Sequence, residues 1–85
     1  MNWRVVLGSR AEKQLRRIPE KDIRRVTEAL TRLSTDPFQG DMVKLEGQGN
    51  VWRLRVGSYR VIGEFYVKER LFFVYEITRR TSATY

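Results

Sequence analysis

Val51-Trp52-Arg53-Leu54-Arg55-Val56-Gly57-Ser58-Tyr59-Arg60-Val61-Ile62 decides how this chain folds. Two runs of strand formers flank Gly57-Ser58, which suits a two-residue type II′ turn with glycine at the first central position. That turn pairs Val56 with Tyr59, Arg55 with Arg60, Leu54 with Val61 and Arg53 with Ile62. Side chains alternate along a strand. One face therefore takes Trp52, Leu54, Val56, Tyr59, Val61 and Phe65, and the other takes Arg53, Arg55, Arg60, Ile62 and Glu64. Like charges directly opposite each other destabilise a strand pair. A face that keeps Arg55 against Arg60 points to a polyanionic ligand.

Working outward, a third strand is expected from Leu71 to Thr78. A three-residue loop, Lys68-Glu69-Arg70, keeps Phe73, Tyr75 and Ile77 on the apolar face, because register follows the buried side. Phe72 and Val74 then join the arginines. Before the hairpin, Trp3-Arg4-Val5-Val6-Leu7 reads as a short strand that Gly8 breaks. Ser9-Arg10-Ala11-Glu12 has capping-box spacing for a helix with Ala11, Leu15 and Ile18 inward. Pro19 ends that helix and fits the first turn of the next. There Ile23, Val26, Leu30 and Leu33 form an amphipathic stripe, with Arg24, Arg25, Glu28 and Arg32 on the solvated side. Residues 36–41 are a loop by their Pro, Gly and Asp content. The expectation is one α+β domain over residues 1–85, in the order β-α-α-β-β-β. Two N-terminal helices pack on one face of a small antiparallel sheet.

Composition bounds the chemistry. The 85 residues hold 17 basic against 10 acidic side chains, a net charge of +7. Such an excess favours nucleic acid, an acidic protein partner, or both. Hydrophobic residues make up 41%, enough for a globular core rather than a disordered chain. With no cysteine and no histidine, thiolate chemistry and imidazole proton transfer are excluded and a transition-metal site is not expected. No cofactor is expected either. Catalysis must run on Arg, Lys, Tyr and carboxylates. No apolar run approaches the roughly 20 residues that span a bilayer. The start Met1-Asn2-Trp3-Arg4 does not read as a signal peptide, so a cytoplasmic protein with no membrane partner is expected.

Guanidinium groups stay protonated at any physiological pH. They suit a phosphodiester whose transition state carries extra negative charge. Lys44-Leu45-Glu46-Gly47, the arginine hairpin, Thr78-Arg79-Arg80 and Tyr85 together resemble the RelE/ParE superfamily of bacterial toxin–antitoxin toxins. Within it they look like RelE-type, ribosome-dependent mRNA interferases. The resemblance spans essentially the whole chain. It implies a compact α+β toxin that acts as a metal-independent endoribonuclease on mRNA in the ribosomal A site. It also implies a cognate antitoxin, with which the toxin forms a hetero-oligomer.

Position by position, Arg53 and Arg55 match two basic residues of the family's central strand, commonly lysines in the best-known members. Arg60 matches an arginine after the hairpin turn, Arg79 the basic residue after the last strand, and Tyr85 a tail tyrosine. The resemblance makes Arg53, Arg55, Arg60, Arg79 and Tyr85 the catalytic set. Lys44, Arg53, Arg55 and Arg80 are the RNA contacts. Arginine at positions 53 and 55 keeps the charge but removes a group whose pKa can be lowered. The Tyr85 phenol, brought below its ordinary value near 10 by neighbouring arginines, could serve as general base or stack on a base.

Other residues read as structural: Trp3 and Trp52 as packing, and Glu46, Glu64 and Glu76 as counter-charges. Two rival readings stay open. One is a ParE-like inhibitor of DNA gyrase without nuclease activity, and the other is a non-toxic basic module that binds RNA or protein.

Overall fold

The computed structural model describes residues 2–38, 40–47 and 49–79. Arg80 and Tyr85 lie outside the described residues. The elements are β1 (Arg4–Leu7), α1 (Ser9–Arg16), α2 (Glu20–Leu33), β2 (Met42–Lys44), β3 (Val51–Val56), β4 (Tyr59–Tyr66) and β5 (Leu71–Arg79). The strands form one sheet in the order β1-β5-β4-β3-β2. The expected antiparallel arrangement holds from β2 to β5. At the far edge β1 runs parallel to β5, with Val5 beside Phe72. The short strand β2 is an addition to the expected element order.

The β3–β4 hairpin has the register read from its turn, from Val56 opposite Tyr59 to Arg53 opposite Ile62. Gly57 takes φ +57°, as a type II′ turn requires at its first central residue. The next hairpin differs. Tyr66 pairs with Leu71, so the loop holds four residues, 67–70, and Arg70 turns it with φ +52°. That slip sends Phe72 and Val74, rather than Phe73 and Tyr75, to the buried face. A bulge then corrects the register. Gly63 faces Val74 and Ile62 faces Glu76, leaving Tyr75 as the extra residue and returning Ile77 to the core beside Val61. Gly63 is the physical reason this register is possible. A Cβ there would come within 2.5 Å of Phe72 Cζ, so only glycine leaves room for the fully buried Phe72 ring.

Both helices pack on one face of the sheet. Ser9 already lies within α1 and Gly8 is the N-cap, so the capping box does not form; no side chain caps that end. Instead Glu12 N donates to Gly8 O at 2.9 Å. Gln14 covers the open edge of β5 beyond the end of β1, its Oε1 accepting from Ile77 N at 2.7 Å. Pro19 is the N-cap of α2, whose Val26, Ala29, Leu30 and Leu33 are buried. Val26, Val61, Phe72 and Val74 form the centre of the core. At one end Trp3 and Trp52 meet the Phe65 ring edge-on, with centroids 5.1 and 5.8 Å away, which bears out their reading as packing residues. No helix among the described residues is long and apolar enough to cross a membrane.

Candidate functional site

The helices leave the other face of the sheet bare, and its charge comes from strand alternation. Arg53 and Arg55 on β3 and Arg60 on β4 project from this face beside the tight turn, with Arg55 directly opposite Arg60. Short-range charge repulsion there is relieved by a residue that the sequence reading missed, Asp41. The Arg55 backbone N donates to Asp41 O at 3.1 Å, which sets Asp41 across from Arg55 just before β2. One carboxylate oxygen accepts from Arg55 Nε, and the other lies 3.8 Å from Arg53 Nη2. The only signal for this contact is the pairing of β2 with β3, which a three-residue strand hides in the sequence. Among the described residues, Arg53 Nε is shielded from solvent without a hydrogen-bond acceptor, and Arg60 enters no ion pair. The cluster thus retains guanidinium donors for an incoming anion.

The remaining candidates separate. Lys44 pairs with Trp52, so alternation puts it on the helix side of the edge strand, away from the arginine face. Arg79 pairs with Tyr59 and also lies on the helix side, its guanidinium carbon 5.8 Å from the centre of the Tyr59 ring. Thr78 takes the position opposite Arg60. Tyr59 is itself fixed, its hydroxyl donating to Asp22 Oδ2 at 3.2 Å. Burial, and next that bond to Asp22, push the Tyr59 phenol above its ordinary value. Arg80 and Tyr85 fall outside the described residues, so their part in the site rests on the sequence alone.

The carboxylates read as counter-charges are engaged elsewhere. Glu76 lies 3.7 Å from Arg10, and Glu64 accepts from the hydroxyls of Tyr66 and Tyr75. Neither is an ion-pair partner of Arg53, Arg55 or Arg60. Chemically, the arginine face can grip a phosphodiester and stabilise added negative charge.

Comparison with known proteins places this architecture. The family model for the ParE toxin of type II toxin–antitoxin systems matches residues 5–83. A curated protein of Methanocaldococcus jannaschii, named provisionally as toxin RelE1, is 28% identical over 86 residues, covering 98% of this chain and 96% of that one. The crystal structure of the archaeal RelE–RelB complex from Pyrococcus horikoshii is similar at 31% identity and a TM-score of 0.83, covering 98% of this chain and 100% of that chain. The isolated Escherichia coli RelE toxin shares the fold, with a TM-score of 0.82 at 16% identity over 95% of this chain and 87% of that one.

Proposed function

The chain belongs to the ParE toxin family of type II toxin–antitoxin systems, and on that premise we propose that it is a ribosome-dependent endoribonuclease cutting mRNA in the A site. The observation that carries this reading is the gathering of Arg53, Arg55 and Arg60 on the uncovered face of the sheet. Cleavage of RNA through its own 2′-hydroxyl needs deprotonation of that hydroxyl, in-line attack, positive partners for the equatorial oxygens and protonation of the leaving 5′-oxygen. The three arginines supply the positive partners. An arriving phosphate takes the place of the Asp41 carboxylate against Arg53 and Arg55, so the guanidinium groups are already held near the geometry that an oxyanion needs. Arg79 and Tyr85 complete the set as the family resemblance implies, with the Tyr85 phenol as base or stacking ring.

Permanently charged arginines and one phenol make a poor acid–base pair. The ribosome compensates by holding mRNA in line for attack, and orientation of that kind is worth about 7–11 kcal/mol at its best. We expect cleavage of mRNA on programmed ribosomes and little cleavage of naked transcripts. Vigorous cutting of free RNA would contradict this mechanism.

A cognate antitoxin neutralises the toxin by laying carboxylates against the arginines and apolar side chains in a groove. A cleft of about 370 Å³ lined by Val5, Leu7, Leu15 and Leu30 offers such a groove on the helix side. The second reading is a gyrase inhibitor without nuclease activity. It is favoured by the matching family model, which is that of ParE, and by Lys44 and Arg79 standing off the arginine face. Inhibition of gyrase supercoiling with no cleavage on ribosomes decides for it.

A further inference from the structure

The bare face has a second half. Beyond the arginines, at the opposite end of β4 and on β5, lie Glu64, Tyr66, Phe73 and Tyr75. The four-residue loop makes this grouping, because pairing Tyr66 with Leu71 turns both Phe73 and Tyr75 to the outer face beside Glu64. The two rings meet edge-on at 5.2 Å and 70°. Tyr66 and Tyr75 are each 39% exposed, yet neither is loose. Both hydroxyls donate to Glu64 Oε1, Tyr66 at 3.2 Å, and the two hydroxyls lie 3.4 Å apart. Two partly exposed rings are thus pinned by one carboxylate on a sheet surface that no helix covers.

We propose that the Tyr66–Tyr75–Phe73 platform stacks a base of single-stranded RNA whose phosphates engage Arg53, Arg55 and Arg60. This deepens the nuclease reading and rests on it, because it extends the same RNA track. Aromatic faces accept any base, while arginines accept phosphates; single-stranded nucleic acid offers both along one strand. Glu64 sharpens the division of labour. Its carboxylate repels phosphate, so the rings take a base and the backbone keeps to the arginine end. Arg60 and Tyr66 sit on one strand and one face, six positions apart, a span of about 20 Å at strand rise. Arg53 pairs with Ile62, and Tyr75 bulges between the partners of Ile62 and Gly63, two strands away or about 10 Å. Even a short oligonucleotide therefore bridges cations and rings, and only removal of the bases separates them.

The test uses the full chain and two uncleavable ligands, a 2′-O-methyl hexamer and an abasic strand with the same six-unit backbone. Affinity is measured by fluorescence anisotropy at fixed salt. Replacing both tyrosines, Tyr66→Ala with Tyr75→Ala, is expected to weaken the hexamer by about tenfold, in line with the worth of base–aromatic stacking. The abasic strand should bind unchanged. The pair Tyr66→Phe with Tyr75→Phe keeps the rings and should retain hexamer binding, which guards against a folding artefact. Arg60→Ala is expected to weaken both ligands. If the alanine pair binds the hexamer like the parent while Arg60→Ala does not, the platform is refuted and the RNA reading stands. If neither change matters, the RNA reading fails with it. Loss of antitoxin binding with hexamer affinity intact would also overturn the proposal, assigning the rings to the protein partner.

Discussion

Arg60 is the most informative single residue on the arginine face. Arg53 and Arg55 share the Asp41 carboxylate, whereas Arg60 enters no ion pair among the described residues. Replacing it therefore removes charge from the site without unmaking a described contact. Arg60→Ala should lower the single-turnover rate of cleavage on programmed ribosomes by at least tenfold while changing ribosome binding less, as expected for a group needed mainly in the transition state. Equal losses in binding and rate would assign Arg60 to uniform binding instead. Tyr75 gives a second residue-scale prediction. Its bonds first to Glu64 and then to Tyr66 hold the phenol well above its ordinary value. The folded state thus keeps a proton that the unfolded chain releases near pH 10, roughly the free-phenol value. Stability from this group is complete below that pH and is lost as pH rises through the folded value. In thermal melts between about pH 10 and 12, Tyr75→Phe should flatten the decline in Tm relative to the parent. An identical decline in both proteins would show that Tyr75 is not the group responsible.

At the scale of elements, the β3–β4 hairpin was legible because Gly57-Ser58 admits one short turn, and that turn fixes every pair behind it. The arginine face followed directly. The β4–β5 hairpin was not legible to the same reasoning, since strict alternation assumes uninterrupted pairing. Tyr75 breaks that pairing, and Gly63 is the residue in the sequence that marks the place. The same limit hid Asp41, whose position depends on a strand of three residues. Lys44 and Arg79 were grouped with the arginines by resemblance, whereas strand parity sends both to the other face. Gly63→Ala should test the bulge. Its methyl group would press on Phe72 and on the Phe73 carbonyl, both rigidly held, and overpacking of this kind costs about 1–3 kcal/mol. Urea denaturation should show a lower midpoint with an unchanged slope. A parent-like midpoint would mean that the Phe72 ring can move aside at no cost.

For the whole molecule, the two faces of the sheet have separate duties. One is sealed by both helices and carries the apolar core, and the other is left open with its cations at one end and its aromatic rings at the other. The order of the strands adds a consequence in time. Among the described residues β5, the last strand in sequence, lies between β1, the first, and β4. Arg4 must wait for Leu71 before it has a neighbour in the sheet. A chain emerging from its own ribosome therefore cannot lock β1 until β5 has been made, and closing such a long loop precedes any return from the contacts. The growing polypeptide stays incomplete, and on the proposed reading harmless, until β5 has emerged. A chain stopped at Arg70 should show no cooperative melting transition by circular dichroism, whereas the chain carried through Arg79 should regain it. The surface that an antitoxin would recognise therefore comes into being only once β5 can take its place between β1 and β4.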